Sequence, residues 1–186
     1  MLEQYSEEKE KIDEYFDVLH DRIIEPIQKA DIGRYCTATL LLLFAAIDGI
    51  GKLIHDNPKA GSNDRIRAFL NYMGGNYGKR KEELLALRHS LVHNAINVAS
   101  YMSQTEIGSD QHLNRIGAGG FMYVNTPIMY NDFVSAFERL KEEFKKNEQM
   151  MTRAAERLEW REDDIEDHDL EIPATLPPPV EFIWAK

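Results

Sequence analysis

Apolar residues recur along the first thirty positions at helical intervals. Tyr5, Ile12, Phe16, Leu19, Ile23 and Ile27 stand three, four or seven apart, which predicts a helix over residues 3–29 with one apolar stripe. Acidic residues gather toward its start, as the helix dipole favours, and Pro26 is expected to kink or end it. A second helix is expected over about 32–55, with Asp31 as its cap. It is apolar nearly all round, from Leu40 to Leu43 and on through Phe44, Ala45, Ala46 and Ile47, the composition of a helix in the middle of a bundle. A loop with Pro58 and Gly61 follows. Asp64 to Met73 then predicts a short helix with Ile66, Phe69 and Leu70 inward and Arg65 and Arg67 outward. The run Gly74-Gly75-Asn76-Tyr77-Gly78 ends it. Leu84, Leu85, Leu87, Leu91 and Val92 mark a further helix over about 79–95.

The pattern changes over residues 97–126. Val98, Tyr101 and Met102, then Phe121-Met122-Tyr123-Val124, with Gly117-Ala118-Gly119-Gly120 between them, predict two or three small antiparallel strands. A long helix over about 131–160, capped by Asn131 or Asp132, carries Phe133, Phe137, Leu140, Phe144, Met151 and Leu158 along one side. It is expected to reach past the bundle. The division that follows is a helical bundle over 1–160 with a β insertion at about 97–126, and an acidic, proline-rich tail over 161–186. Composition alone makes that tail disordered, although its apolar end, Val180 to Trp184, is suited to docking, for instance on a second subunit.

Composition adds limits. A chain of 186 residues with 43% hydrophobic content can bury one core. The single cysteine, Cys36, allows no internal disulfide and fits a reducing, cytoplasmic setting. It lies in an apolar run and is expected to be an inert core residue. No signal peptide is expected, and the apolar run from Tyr35 to Ile47 is too short to span a bilayer, so no membrane role is expected. The net charge of −10 argues against a general nucleic-acid coat protein. The charge is uneven, however. Residues 52–93 hold 8 bases and 4 acids, and this basic region contains Lys79, Arg80, Lys81, Arg65 and Arg67, the candidate RNA-binding side chains. Gly49-Ile50-Gly51-Lys52 is not a phosphate-binding loop, because the upstream glycine and the Ser or Thr after the lysine are missing.

The chemistry concentrates in Leu87-Arg88-His89-Ser90-Leu91-Val92-His93-Asn94. Arginine offers a fixed fork of donors to phosphate oxygens, and histidine moves a proton near pH 7. Chance gives about one Arg-to-His pair at spacings of four to six intervening residues in such a chain. Two occur. The other, Arg161 to His168, encloses five acidic residues and would repel phosphate. Arg88 to His93 instead sits on an apolar helix inside the basic region. Asp48, the one acid within the second helix, needs a partner there. It would hydrogen-bond a neighbouring helix or orient Arg88 or His93.

This stretch resembles the RX4–6H signature of the HEPN superfamily, helical-bundle proteins many of which cleave RNA. The specific part of the likeness is Arg88 to His93, with His89 as the polar residue after the arginine. The resemblance implies an all-α, four- to five-helix up-and-down bundle that pairs as a homodimer, with the two motif helices meeting in a composite site. It implies endoribonuclease chemistry needing no metal or other cofactor. His93 would transfer protons, Arg88 would clamp the phosphate, and His89, Asp48, Asn94 and Ser90 would support them. RNA, a protein partner or an antitoxin are the implied partners, in a toxin or defence setting. One toxin branch, paired with nucleotidyltransferase antitoxins, has a tyrosine two residues after the histidine. Ala95 stands there, so that pairing is not inferred. Two other classes remain open: a non-catalytic HEPN dimer binding RNA, nucleotide or protein, and a metal site of His89, His93 and Asp48. On a straight helix positions 88 and 93 lie about 140° apart, whereas 89 and 93 share a face.

Overall fold

The chain begins in helix α1 (Leu2–Leu19), passes through a π-helical turn (His20–Ile24) and continues as α2 (Glu25–Lys29). In the π turn the N–H of Glu25 bonds the carbonyl of His20. The wider turn comes directly before Pro26, which has no N–H and whose ring crowds the carbonyl four residues back. The expected kink is thus a local change of helical register. A computed structural model describes residues 2–29, 36–94, 101–103, 109–116 and 120–158. The proposed cap Asp31, Ala95, the glycine connection at 117–119 and the tail with Arg161 and His168 lie outside the described residues.

Helix α3 (Cys36–Ile54) is the centre of a mostly helical body. Leu40, Leu43, Phe44, Ile47 and Ile50 are buried, while Leu42 and Ala45 on the other side face solvent and Cys36 is half-buried. At 19 residues α3 is long and apolar enough to cross a membrane, longer than the run counted from Tyr35 to Ile47, and half of it is buried inside the fold as in a core helix. It lies closely on α4 (Ser62–Met73) because Gly51 has no side chain. A Cβ there would stand 2.1 Å from the carbonyl oxygen of Arg65. Arg157 donates to the carbonyls of Leu53 (2.6 Å) and Asp56 (3.2 Å), satisfying acceptors at the end of α3.

Helix α4 stops at Gly74 and Gly75, whose φ angles of 78° and 54° lie in the left-handed region that glycine enters freely. The chain re-forms helix at once, as α5 (Gly75–Lys79) and then α6 (Lys81–Asn94), with the break at Arg80. The motif helix is therefore two residues shorter at its start than the pattern suggests.

The last helix departs further from expectation. It starts at Thr126, not near 131, because Asn125 is the cap: its side-chain oxygen accepts the N–H of Ile128 at 3.1 Å, and Pro127 fills the first turn. It also breaks. Helix α7 (Thr126–Lys146) ends at Asn147, whose side chain then caps α8 (Glu148–Leu158) through the N–H of Met150. Helix α8 folds back on α1 and α3 and does not extend beyond the body. Phe133, Phe137 and Phe144 of α7 meet Phe69 of α4 and Phe16 of α1, with ring centroids 5.0–5.8 Å apart between helices. This aromatic ladder is one part of the buried core, which the aliphatic side chains of α3 complete.

Between α6 and α7 lie β1 (Tyr101–Ser103), a 3-10 turn (Ser109–Gln111), β2 (Arg115–Ile116) and β3 (Phe121–Val124). The sheet order is β1-β3-β2. β2 and β3 pair antiparallel, as a hairpin should, but β1 pairs with β3 in parallel, which alternation alone could not distinguish.

Candidate functional site

Helix α6 packs on α3 and α4 through Leu84, Leu87 and Leu91, which are buried at helical spacing. That fixes the direction of the residues between them. Arg88 is half-buried and points at the start of α4, where its Nη2 donates to Ser62 Oγ at 3.4 Å. Ser62 Oγ donates in turn to Asp48 Oδ2 at 2.8 Å. Asp48 is held by Arg65, with Nε on Oδ1 at 2.6 Å and Nη2 on Oδ2 at 3.1 Å. Asp48 thus finds its partner on the neighbouring helix and reaches Arg88 only through Ser62. Two expectations are corrected here. Arg65 is not turned outward: the half-buried carboxylate of Asp48 on the adjoining helix draws it in, and the bond to Asp48 holds its guanidinium above the ordinary arginine range. No direct bond joins Asp48 to Arg88 or His93. Tyr15 completes this pocket of polar groups. Burial, and then the Asp48 charge, push its phenol up to about 12, so it stays neutral.

His89 and His93 are exposed on the other side of α6, and their rings lie 4.4 Å apart, centre to centre. Within one chain, then, Arg88 and His93 do not converge. Ser90 is half-buried, and the side chain of Asn94 lies outside what is described. Val92, between the two histidines in the sequence, is 49% exposed.

The basic region is largely paired. Arg67 forms a two-pronged ion pair with Glu82 (2.8 and 2.9 Å) and reaches Asp64 at 2.9 Å. The Arg67 bond pulls the Glu82 carboxyl below its ordinary value. Arg80 binds Glu83 at 3.1 Å, and Lys81 donates to Asn71 at 3.1 Å. Lys79 is exposed and makes no ion pair with the described residues. Among the described residues no three His, Cys, Asp or Glu side chains converge as metal ligands. Asp48, offered as the third ligand to His89 and His93, has both oxygens engaged by Arg65 and Ser62.

A second polar group was not legible in the sequence. Tyr77 of α5 and His112, before β2, are both buried, and the Tyr77 hydroxyl donates to Asp132 of α7 at 2.8 Å. His112 Nε2 lies 2.9 Å from the same hydroxyl, and its Nδ1 accepts the N–H of Asn125 at 3.0 Å. Burial raises the Tyr77 pKa, and the Asp132 bond adds to it. Asp132 looks like a helix cap in the sequence, and a lone histidine in a strand-rich segment carries no periodic signal. Neither residue reveals the other. No family model matches the chain, and no curated protein or solved structure matches it either.

Proposed function

We propose that this chain is a metal-independent endoribonuclease of the HEPN type, a helical bundle acting as a homodimer. Its composite site takes Arg88 from one copy and His93 from the other. The observation that carries this reading is the way α6 presents its motif. Arg88 is held from behind by Ser62, which Asp48 holds in turn, so one edge of its guanidinium is placed before any phosphate arrives. His93 is exposed on the other side of α6, beside His89. One chain cannot close the pair, and a two-fold axis along α6 would. The exposed apolar side chains of Leu42 and Val92 suit that contact.

In this reaction His93 removes the proton from a ribose 2′-hydroxyl. The 2′-oxygen bonds to the adjacent phosphorus, the P–O5′ bond breaks, and the departing 5′-oxygen takes up a proton. The products are a 2′,3′-cyclic phosphate and a 5′-hydroxyl. Arg88 offsets the charge that builds on the phosphate oxygens. Single-stranded RNA with excess chelator is the test. Slow cleavage to cyclic-phosphate ends is expected, with the matching DNA intact because it lacks the nucleophile. Arg88→Ala should lose on the order of 10²–10³-fold in rate. His93→Ala should lose about 10²–10⁴-fold. His89→Ala should cost less, and Arg161→Ala and His168→Ala should leave the rate unchanged.

A second reading has its own support. With Arg65, Arg67 and Arg80 in ion pairs and a net charge of −10, little free positive charge remains to hold RNA. A non-catalytic HEPN dimer that binds a protein, a nucleotide or RNA fits that surface. Equal cleavage by the wild type and the Arg88→Ala/His93→Ala double variant would show contamination and put this reading first.

A further inference from the structure

His112 sits where three elements meet, and the bonds around it fix where its proton is. Asn125 offers a backbone N–H to Nδ1 at 3.0 Å, so Nδ1 carries no hydrogen. The Tyr77 hydroxyl spends its single hydrogen on Asp132. Its oxygen is therefore the acceptor for His112 Nε2–H at 2.9 Å. The chain of donors runs one way, from His112 to Tyr77 to the Asp132 carboxylate. It closes only with a neutral imidazole in the Nε2–H form.

We propose that His112 is a proton-operated latch: neutral, it clamps the small sheet to α5 and to the start of α7, and a proton gained at Nδ1 releases that clamp. A hydrogen on Nδ1 would face the Asn125 N–H, two donors 3.0 Å apart with no acceptor between them. They must separate. Among the described residues the groups facing His112 are Tyr77 from α5 and, through it, Asp132 from α7. Asp132 favours the proton, but burial opposes it more strongly and holds the imidazole below its ordinary value.

Two features make release local. Leu113, the next residue, is buried at φ 59°, a left-handed conformation that is unfavourable for a leucine and persists only while its surroundings hold it. Among the described residues the other ion-paired tie from this segment to the helices is Arg115 to Glu83 at 3.6 Å, half in solvent, beside the buried apolar side chains of Leu113, Met122 and Val124. Glu83 stays charged well into acid: burial raises it, but its backbone bond and Arg80 outweigh that and lower it. Of the two polar ties, the His112 clamp therefore gives way first. The sign follows from linkage. A histidine lowered by folding binds fewer protons folded than unfolded, so its contribution is complete above about 6.5 and is lost as pH falls through the folded value. Tyr77 precedes α6 by a short turn, so the latch adjoins the helix that carries Arg88.

The test is ¹⁵N NMR on the full chain across about pH 5 to 8, the window in which histidine titrates, with amide hydrogen exchange corrected for its intrinsic pH dependence. The expected result is an Nε2–H tautomer and a His112 midpoint below the ordinary histidine value of about 6.5. Protection at 109–116 and 120–124 should fall across that midpoint while α3 and α4 stay protected. In His112→Gln, which cannot gain a proton, the protection should no longer depend on pH. If that variant fails to fold, the wild-type titration decides alone. An Nδ1–H tautomer, a His112 midpoint at or above the ordinary histidine value, unchanged protection through the titration, or loss of protection everywhere at once would each overturn the latch.

Discussion

Gly51 sets the distance between the two helices that hold Asp48 and Arg65, and the size of one methyl group shows how tightly. Alanine gains about 1 kcal/mol over glycine in a helix interior. Its Cβ would stand 2.1 Å from a backbone oxygen of Arg65, however, and backbone cannot swing aside. Overpacking of this kind costs about 1–3 kcal/mol, and at that separation the upper end applies. Gly51→Ala should therefore destabilise the protein by roughly 1–2 kcal/mol net, a Tm lower by about 2–8 °C in calorimetry. Gly49→Ala is the contrast. Its Cβ would meet the Tyr15 hydroxyl at 2.6 Å, the far end of a side chain that can turn away. Equal losses for the two would mean that the close approach of α3 to α4 is not what Gly51 is for. The Asp48–Arg65 pair matters beyond stability, because Ser62 borrows Asp48 to hold Arg88. Moving α4 outward should loosen that arginine too.

Helix boundaries in this chain are set by short side chains more than by apolar periodicity. The Asn125 side chain bonds the third residue beyond it, whereas Asn131 lies exposed inside α7. Asn125→Ala should cost about 0.5–2 kcal/mol, the range for losing an N-cap, and Asn125→Ser should recover most of it. Asn131→Ala should stay within about 0.5 kcal/mol, as exposed substitutions do. Urea denaturation of the three variants separates the two caps; a larger loss at Asn131 would move the start of the helix back to where periodicity alone puts it. The contrast explains what the sequence could reveal. Stripes such as Phe133, Phe137, Leu140 and Phe144 announce their helix because a buried face must repeat at the helical period. Asn125 did not stand out, since it follows the strand run Phe121 to Val124 and a strand end also favours asparagine. The break at Asn147 leaves no mark in the stripe, which continues through Met151. The parallel pairing of β1 with β3 is a matter of long-range topology, to which local alternation is blind. For the site, Arg88, His89 and His93 were legible from spacing, and the shared face of the two histidines followed from it. Ser62 was not, because a serine in a loop has no distinguishing neighbours until Asp48 and Arg88 close around it. Arg65 looked like a free base for the same reason: its partner lies on another helix.

At the scale of the whole molecule, α3 has more apolar surface than the described residues cover. Half of the helix is buried, and Ala38, Leu42 and Ala45 lie four and three residues apart on its exposed side. Leu42 is 40% exposed and Val92 on α6 is 49% exposed. The proposed site requires a second copy seated so that two α6 helices meet, with these apolar side chains covered by the contact. Sedimentation should give a dimer at micromolar concentration, and Leu42→Glu and Val92→Glu should each shift it toward monomer. Neither side chain is in the core, so both variants should keep their helical circular dichroism. Mixing supplies the sharper outcome. Arg88→Ala chains and His93→Ala chains are each expected to be inactive alone. In a two-fold dimer of one with the other, one pocket has lost both groups and the second retains an intact arginine and histidine. Random exchange makes half of the dimers mixed, so about a quarter of the wild-type rate should return. A monomeric wild type would remove the composite site altogether. A wild-type dimer that cleaves, whose mixed variants recover nothing, would place both groups of each site in a single chain, and α6 would then have to bend to bring His93 around to Arg88.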